Sequence, residues 1–187
     1  MSQSFSFTRE FFRDRKQVGS VVPSGGPLAS AMVKALGRLE AGQMVVELGP
    51  GTGVVTSRLE KAWPDNRLLT VEFLPQFAEQ LEEAFPSVDV IQGCASELQK
   101  HLTEKRIDAH QVGGIVSSLP LLSLPTESRD AIFDALRAIL QPGRRYIQFT
   151  YIKKSWDQFM PEGFVLKRHR RVWRNIPPAT VLTFVRL

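Results

Sequence analysis

Apolar runs and amphipathic segments alternate along most of this chain. From Met44 onward, short runs rich in valine, leucine and isoleucine predict strands, and segments with apolar residues every three or four positions predict helices. Strands and helices in alternation are typical of an α/β fold, a mostly parallel sheet with helices on both faces. After a first strand near Met44, the predicted strands are 68–72, 88–92, 113–117, 146–151, 165–174 and 180–185, and the predicted helices are 28–39, 74–85, 127–140 and one that starts near Val54. The pattern therefore predicts a seven-stranded sheet.

The N-terminal segment precedes this alternation and has a different pattern. Residues 1–20 predict an amphipathic helix, because Phe7 and Phe11 lie four positions apart beside Arg9 and Arg13. Such a helix either lies in a bilayer interface, with its arginines toward anionic headgroups, or covers an open side of the domain core. Both interpretations hold if the segment moves.

Length and composition favour one domain that spans residues 1–187. At 43% hydrophobic residues, the chain can bury one sizeable core. We divide it into the N-terminal helix at 1–20, a lid-like loop and helix at 21–40, and the core at 41–187. No apolar stretch approaches the roughly 20 residues that cross a membrane. The single cysteine, Cys94, excludes an internal disulfide, and no residues have the spacing of a metal site, so a reducing cytoplasm is expected.

Charge is unevenly distributed along the chain. Residues 41–140 contain 8 basic and 14 acidic side chains, whereas residues 141–187 contain 10 basic and 2 acidic side chains. The basic C-terminal part is therefore expected to attract an anionic partner, either a lipid surface or a nucleic acid.

The clearest chemical signal follows the first predicted strand. Glu47 precedes Gly49, Gly51 and Gly53, and Glu72 ends the next predicted strand. The glycines predict a tight turn, where the backbone comes close to a ligand at the N-terminus of the next helix. A carboxylate just before the turn repels phosphate and favours a cation, and the second acid is placed to bind both hydroxyls of a ribose. The alternative is an ordinary glycine turn beside two unrelated carboxylates.

This pattern resembles motif I of the class I S-adenosylmethionine-dependent methyltransferases, E/D-x-G-x-G-x-G. The resemblance implies a Rossmann-like fold and S-adenosylmethionine as the cofactor. Most of these enzymes have Gly-Asp-Ala after the third strand, and the aspartate binds the adenine amino group; here the sequence is Gly93-Cys94-Ala95. We therefore expect backbone contacts from Cys94 or Ala95, unless Cys94 is only a small buried residue. The implied cofactor-binding residues are Ser24, Glu47, Gly49, Gly51, Thr52, Gly53, Glu72, Phe73, Cys94, Ala95 and Ser117.

Other motifs resemble those of the bacterial phospholipid N-methyltransferases. They are Val-Gly-x-Val-x-Pro-Ser at 18–24 after a Phe-x-Arg motif, Ser-Leu-Pro-Leu-Leu at 118–122, Gln-Phe-Thr-Tyr at 148–151 and Arg-Val-Trp-x-Asn-x-Pro-Pro-Ala at 171–179. The chain departs from that family at Gly25, where serine is usual, and at Ser118, where glycine is commoner. The resemblance covers nearly the whole chain and implies methylation of phosphatidylethanolamine and its mono- and dimethyl derivatives toward phosphatidylcholine.

Three residues are assigned to the substrate: Ser117, Leu119 and Tyr151. The loop after the fourth strand also resembles, more distantly, the Asn-Leu-Pro-Tyr of ribosomal RNA adenine dimethylases, and both motifs place a backbone carbonyl and a side-chain oxygen around an amine. Leu121 and Leu122 stand where the RNA enzymes have a base-stacking aromatic, which favours a lipid. The alternatives are a loop that only packs on the core and a Tyr151 that does the same. No residue is a convincing general base.

The expected partners follow from this resemblance and from the charge pattern. They are the phospholipid substrates and an anionic membrane surface, which would be contacted through Phe7, Arg9, Phe11, Arg13 and the basic residues at 167–174; no nucleic acid is expected. The expected location is the cytoplasm, at the inner face of the membrane. Two alternatives stay open, an RNA adenine N6-dimethyltransferase and a membrane protein that binds the cofactor without catalysis.

Overall fold

The computed structural model describes residues 25–152, 156 and 160–187. The predicted N-terminal helix, with Phe7, Arg9, Phe11 and Arg13, lies outside the described residues, as do Ser24 and most of the predicted lid-like loop. Within the described residues the strands are β1 (Met44–Leu48), β2 (Arg67–Glu72), β3 (Asp89–Gln92), β4 (Val112–Ser117), β5 (Arg145–Thr150), β6 (Phe164–Val172) and β7 (Ala179–Arg186). The α-helices are α1 (Gly26–Leu36), α2 (Val54–Ala62), α3 (Pro75–Ala84), α4 (Leu98–Glu104) and α5 (Thr126–Ile139).

The strands of the described residues form one sheet in the order β3-β2-β1-β4-β5-β7-β6. The first five strands are mutually parallel, and β7 runs antiparallel to both of its neighbours, β5 and β6. The predicted seven-stranded, mostly parallel sheet is therefore confirmed. Strands β2 and β3 lie on one side of β1, and β4 and the later strands lie on the other, so the strand order reverses at β1. In folds of this kind, ligands bind beside the carboxyl ends of the strands at this point.

Helices cover both faces of the sheet because successive side chains of a strand point to opposite faces. Val46 packs in a cluster with residues of α4 and α5. Its neighbour Val45 packs in the opposite cluster, with residues of α1, α2 and α3. The central strands β1 and β4 are buried along their whole length, as expected for strands covered on both faces.

One predicted helix ends earlier in the structure, and one predicted strand is confirmed at a position in the sheet that explains its charge. The helix predicted to reach residue 39 ends at Leu36, because Gly37 has a φ of +82° and a side chain there would overlap the guanidinium of Arg145. Arg145 instead donates to the carbonyls of Ala35 and Leu36 at 3.2 and 3.1 Å, and so binds the helix C-terminus. The charged residues predicted as the strand 165–174 occupy β6, which is an edge strand and therefore tolerates charge.

Candidate active site

The carboxyl ends of four parallel strands meet where the order of the sheet reverses. Backbone hydrogen bonds join them: Gly49 donates to Val71 at 2.9 Å, Gly93 donates to Glu72 at 2.9 Å, and Ser118 donates to Leu48 at 2.9 Å. The glycine turn, the end of β2, the Cys94 segment and the loop after β4 consequently form one edge. Most of the site residues predicted from sequence are brought together here.

The three glycines of the turn all have left-handed backbones, but their surroundings differ. All have positive φ values, which glycine adopts without the strain that a side chain would cause. A Cβ atom on Gly49 would come within 2.6 Å of Leu119, and one on Gly53 within 2.5 Å of Phe85, so the turn packs closely against both neighbours. At Gly51 a Cβ atom would meet nothing within 4 Å. The backbone at this position therefore borders open space in which a ligand can lie.

Glu72 holds the open part of this turn in place. Its Oε2 accepts a hydrogen bond from the amide of Gly51 at 3.0 Å, and its Oε1 accepts one from the amide of Leu74 at 2.9 Å. Burial raises the pKa of Glu72, and the backbone hydrogen bonds from Leu74, Gly51 and Phe73 oppose that shift. These three amides use three of the roughly four acceptor positions of a carboxylate, so Glu72 still has the capacity to accept one ribose hydroxyl.

Glu47 is completely buried at the end of β1, directly before the turn. Its Oε2 accepts a hydrogen bond from the hydroxyl of Thr56 in α2 at 2.7 Å, whereas its Oε1 is buried without a partner among the described residues. Burial raises the pKa of Glu47 to about 8; the Thr56 hydroxyl opposes this shift, and the charge of Glu72 adds to it. A buried carboxylate with an unpartnered oxygen is costly unless a cationic or hydrogen-bonding group compensates it.

These residues fit S-adenosylmethionine. The open position at Gly51, the two acids and the orphaned oxygen of Glu47 together suit a ligand that carries ammonium, sulfonium and ribose groups. Thr52 is exposed next to the open position, and Phe73 is half-buried directly after Glu72. Ser24 lies outside the described residues. Contacts between any of these side chains and the cofactor stay predictions.

At the predicted adenine position, the backbone carbonyl of Cys94 is already used by hydrogen bonds within the protein. The carbonyl of Cys94 accepts a hydrogen bond from the amide of Glu97 at 3.0 Å, and Nε2 of the buried His101 lies 3.1 Å from the same oxygen. Both lone pairs of this carbonyl are thereby used, so a backbone contact from Cys94 to the cofactor would use its N–H group. The thiol of Cys94 is half-buried and lies 3.0 Å from the hydroxyl of Ser96.

A buried polar network supports the loop after β4. The hydroxyl of Ser117 accepts a hydrogen bond from the amide of Leu119 at 3.2 Å. Gln148 of β5 donates to the carbonyl of Leu119 at 3.0 Å, and the hydroxyl of Tyr146 donates to Oε1 of Gln148 at 2.6 Å. Ser117 is fully buried within this network, so the structure gives it a position behind the loop. Its predicted contact with substrate or cofactor stays a prediction.

Ser118 is the residue at this edge to which the sequence pattern assigned no role. Its hydroxyl is buried without a hydrogen-bond partner among the described residues, and its amide is bound to the end of β1 beside the glycine turn. The sequence contained a signal, because this position departs from the glycine that is commoner in phospholipid N-methyltransferases. Gln148, a polar residue within an otherwise apolar strand, was a similar signal.

Tyr151 follows the end of β5 at the same edge of the sheet. Its ring is half-buried and packs edge-on against Phe149, with 5.5 Å between the ring centroids. Burial raises the pKa of Tyr151, and the side chain of Asn175 opposes the shift, although the buried hydroxyl of Tyr151 forms no hydrogen bond of normal geometry with a described residue. The phenol is therefore neutral at physiological pH, and either its ring or its hydroxyl can contact an amine.

Metal-ligand clusters and membrane-spanning helices are absent from the part of the chain that the structure describes. Residues 25–152, 156 and 160–187 contain no group of three or more histidine, cysteine, aspartate or glutamate side chains arranged to hold a metal ion. None of the helices in these ranges combines the length and the hydropathy that crossing a bilayer requires.

Two related sequences align over most of the chain. The ornithine lipid N-methyltransferase of Singulisphaera acidiphila is 31% identical over 183 residues, which cover 96% of this chain and 94% of the relative. The ribosomal RNA small subunit methyltransferase A of Prosthecochloris aestuarii is 23% identical over 180 residues, covering 90% of this chain and 63% of the relative. No protein-family model matches the sequence.

The comparison with solved structures shows that other methyltransferases have the same fold. A solved structure of the 1,6-didemethyltoxoflavin-N1-methyltransferase of Burkholderia thailandensis, with bound S-adenosylhomocysteine, matches with a TM-score of 0.70 and 18% identity, covering 97% of this chain and 88% of that chain. The predicted Rossmann-like methyltransferase fold is thereby confirmed, and the cofactor is S-adenosylmethionine. Because the identity to the Singulisphaera acidiphila enzyme extends over nearly the whole of both sequences, this chain belongs to the family of S-adenosylmethionine-dependent methyltransferases that includes that ornithine lipid N-methyltransferase.

Proposed function

We propose that this methyltransferase transfers methyl groups to the amino group of a membrane lipid, and that its substrates are phosphatidylethanolamine and its mono- and dimethyl derivatives. The observation that carries the proposal is the apolar loop at 119–124, which packs directly on the glycine turn at the edge where the cofactor is expected. A Cβ atom on Gly49 would lie 2.6 Å from Leu119. Leu119, Leu121 and Leu124 are buried in the core, and the loop offers no aromatic side chain on which a nucleic-acid base could stack, which suits a lipid better.

The similarity to the ornithine lipid enzyme supports a lipid substrate, since that relative is named for a lipid that carries an amine. The motifs at 118–122, 148–151 and 171–179 support phosphatidylethanolamine in particular. We propose that the enzyme works on the cytoplasmic face of the membrane, where a peripheral protein meets its lipid substrate. The primary amine is the chemical group that both lipids share, so both are compared as substrates.

Methyl transfer requires that the amine be aligned with the methyl group of the cofactor, and it does not require a covalent intermediate on the enzyme. Bound S-adenosylmethionine supplies an electrophilic methyl group on its sulfonium, and the amine must be neutral and desolvated to attack it. The proposal assigns the amine a hydrogen bond to the hydroxyl of Ser118, which has no partner among the described residues. The carbonyl of Leu119 already accepts hydrogen bonds from Gln148 at 3.0 Å and from the amide of Leu121 at 2.9 Å, so both of its lone pairs are used. Tyr151 borders the same edge and is the second group proposed to contact the amine. The ammonium proton passes to water, so no dedicated base is needed.

The test is product analysis after incubation with S-adenosylmethionine and vesicles. One set of vesicles contains phosphatidylethanolamine, a second contains ornithine lipid, and a third contains neither. Mass spectrometry of the extracted lipids should show added methyl groups on phosphatidylethanolamine. Methylation of ornithine lipid alone would keep the reaction class and refute the proposed headgroup, and modification of neither lipid would refute the lipid assignment.

A pair of serine variants tests the role of the loop. Ser118→Ala removes the unpartnered hydroxyl, and we expect kcat to fall on the order of tenfold, because one hydrogen bond to the reacting amine is worth roughly 1 kcal/mol or somewhat more. Ser123→Ala removes an exposed hydroxyl a few residues away and should leave kcat unchanged. Equal activities of the two variants would exclude the contact from Ser118.

An RNA adenine N6-dimethyltransferase is the second candidate, because the ribosomal RNA enzyme aligns with 90% of this chain. It is tested by repeating the incubation with ribosomal RNA in place of vesicles and analysing the nucleosides. Dimethyladenosine formed without methylated lipid would select this function. Methylated lipid without modified adenosine would eliminate it.

A further inference from the structure

A groove lined with cations runs between α1 and the hairpin formed by β6 and β7. Two adjoining depressions make up this groove, and both are bordered by Ala31, Lys34 and Arg170. We call it the basic groove, and its cations are Lys34, Arg145, Lys167, Arg168, Arg170, Arg171 and Arg174. No acidic residue of the described part of the chain lines either depression. The concave surface therefore presents one sign of charge, which focuses the electrostatic potential within it.

The cations of the basic groove are not neutralised by the described part of the chain. None of the ion pairs formed within that part includes one of them. Arg171 donates to the hydroxyl of Thr180 at 3.2 Å and lies over the ring of Trp173, with 5.4 Å to the ring centroid, and both are neutral groups. Arg145, which also lines the groove, is already bound to the end of α1. Bringing these like charges together is unfavourable unless an anion compensates them.

The strand pairing shows where the groove leads. Arg145 pairs with Val185 at one end of the hairpin, and Thr150 pairs with Thr180 at the other. Since β5 is parallel to β4, Thr150 lies at the carboxyl edge of the sheet, where the candidate active site is. The groove consequently runs along the sheet toward that edge and ends in the turn between β6 and β7.

Exposed apolar side chains gather at this end of the groove. Trp173 and Ile176 lie in the turn between β6 and β7 and are 74% and 87% exposed. Ile152, just beyond the end of β5, is 65% exposed. We call these three residues the apolar tip. The turn that carries Trp173 and Ile176 is joined to the start of α1, because Oδ1 of the buried Asn175 accepts a hydrogen bond from the amide of Gly25 at 3.1 Å.

We propose that the basic groove and the apolar tip form a docking surface for an anionic bilayer, with the carboxyl edge of the sheet turned toward the lipid. The cations contact anionic headgroups, and the apolar tip enters the interfacial region, which suits tryptophan. The proposal rests on the proposed function in one respect: a lipid amine can then reach the active site without leaving the membrane.

Strand protection and RNA binding are two alternative roles for this surface, and each fits fewer of its features. Charge on an edge strand also prevents strands of two molecules from pairing, but that role requires neither Lys34 on the opposite wall nor an apolar tip. Single-stranded RNA would also be attracted by the cations, and Trp173 could stack on a base. The aliphatic Ile176 and Ile152 offer a base no stacking surface, whereas a bilayer interface accommodates them. The bilayer is therefore the occupant that the chemistry favours.

Vesicle sedimentation with charge-removing variants tests the docking surface. The double variant Arg168→Gln/Arg170→Gln removes two cations of the groove, and Lys34→Gln/Arg174→Gln removes two others as an independent pair. Each cation near an anionic surface contributes about fivefold in partitioning, so each pair should reduce binding to vesicles with phosphatidylglycerol by about 25-fold. The matched control Lys61→Gln/Lys105→Gln removes two exposed cations outside the groove and should change binding about twofold or less.

The fluorescence of tryptophan gives a second readout. Trp156 is buried and Trp63 is partly buried, so the strongly exposed Trp173 should dominate a blue shift when vesicles are added. The shift should be present with phosphatidylglycerol vesicles and absent from Trp173→Phe. A wild-type protein that bound anionic and purely zwitterionic vesicles equally would overturn the proposal, as would groove variants that bind like the control.

Retention by single-stranded RNA is measured with the same proteins. If both groove pairs lose RNA binding but keep vesicle binding, the surface serves RNA and the proposal is overturned. Methyl transfer to detergent-dispersed phosphatidylethanolamine is assayed in parallel and should be unchanged in the groove variants, since detergent bypasses docking. Vesicle binding is measured without cofactor, so an absence of methyl transfer would refute the proposed function and leave the docking result standing.

Discussion

The two halves of the sheet contain acidic and basic side chains in opposite environments. In the half formed by β3, β2, β1 and β4, the acids Glu47 and Glu72 are buried at the strand ends. In the half formed by β5, β7 and β6, cations such as Arg168 and Arg170 are exposed along an edge. A buried charge is costly and persists where another group compensates it, whereas an exposed charge costs little. The acidic half therefore suits the cofactor, and the basic half is the part for which we propose a membrane contact.

The largest expected effect in the acidic half comes from Glu72→Ala. This change removes the acceptor for the amides of Gly51 and Leu74, and hydrogen bonds to a charged group contribute roughly 1.5–3 kcal/mol each. We expect the affinity for S-adenosylmethionine, measured by calorimetry, to fall on the order of 100-fold or more, together with a lower Tm.

An acid on the neighbouring strand provides the control for this change. Asp89 of β3 forms a partly exposed ion pair with Arg67, with 2.7 Å between Nη2 and Oδ2. Exposed pairs contribute about 0–1 kcal/mol, so Asp89→Ala should leave cofactor affinity unchanged. If both variants bound the cofactor like the wild type, buried and exposed acids would be equivalent, and the distinction between the two kinds of charge would fail.

The next effect is somewhat smaller. It separates two consequences of replacing a glycine by alanine: blocking of the cofactor site by the new methyl group, and strain in the backbone. Gly51→Ala and Gly42→Ala both place a side chain at a positive φ with nothing within 4 Å, so both should lower the free energy of unfolding by about 1–2 kcal/mol. Only the alanine at residue 51 projects into the open space of the glycine turn. We expect it to weaken cofactor binding by about 10- to 100-fold, as overpacking of a fitted site does, with no change for Gly42→Ala. Equal affinities would show that the open space is not the cofactor site.

A third effect concerns pH and the buried acid of β1. The pKa of Glu47 is about 8 in the folded protein, compared with an ordinary value of 4.5. Between pH 4.5 and 8, Glu47 is therefore protonated in the folded protein and ionised in the unfolded protein. Its contribution to stability is therefore lost as pH rises from about 4.5 to 8, and is constant outside this window. In thermal unfolding of the cofactor-free protein, Glu47→Gln should flatten this slope, whereas the exposed Glu79→Gln should not.

Cofactor binding should have the opposite pH dependence. A cationic cofactor favours the ionised form of Glu47, so the affinity should increase by several-fold as pH approaches 8, and binding should release a proton. Calorimetry in buffers of different ionisation enthalpy measures that proton. A wild-type affinity that is independent of pH, or a proton release that survives in Glu47→Gln, would contradict the assignment of the acid to the cofactor site.

The sheet and the glycine turn were predictable because their signals are local. Apolar runs and glycine spacing are read within ten residues, and they correctly placed the strand ends that carry Glu47 and Glu72. The same local reading could not place Gln148 against the carbonyl of Leu119, or Asn175 against the amide of Gly25 150 positions earlier. Contacts between distant parts of a chain depend on packing that no short pattern encodes.

The basic strand β6 also depends on a feature that a short sequence pattern does not show. Its lack of alternation was visible in the sequence, but the reason was not, since only the order of strands reveals that β6 lies at an edge. The end of α1 at Gly37 likewise depends on Arg145, more than a hundred positions later. Ser118 illustrates a third case, in which the sequence pattern favours the neighbouring Ser117. Only the hydrogen bonds show that the hydroxyl of Ser117 is used and that of Ser118 is unpartnered among the described residues.

The smallest expected effect is the sharpest test of the contrast between the halves. Raising the salt concentration from about 0.1 to 1 M shortens the Debye length from roughly 10 to 3 Å, which screens exposed charges strongly and buried charges little. The affinity for S-adenosylmethionine should therefore change by about twofold or less, while binding to anionic vesicles should decrease by more than about tenfold in the same titration. A cofactor affinity as sensitive to salt as vesicle binding would mean that the acids at the glycine turn act from the surface. The orphaned oxygen of Glu47 would then have to be compensated by a group that the cofactor does not supply.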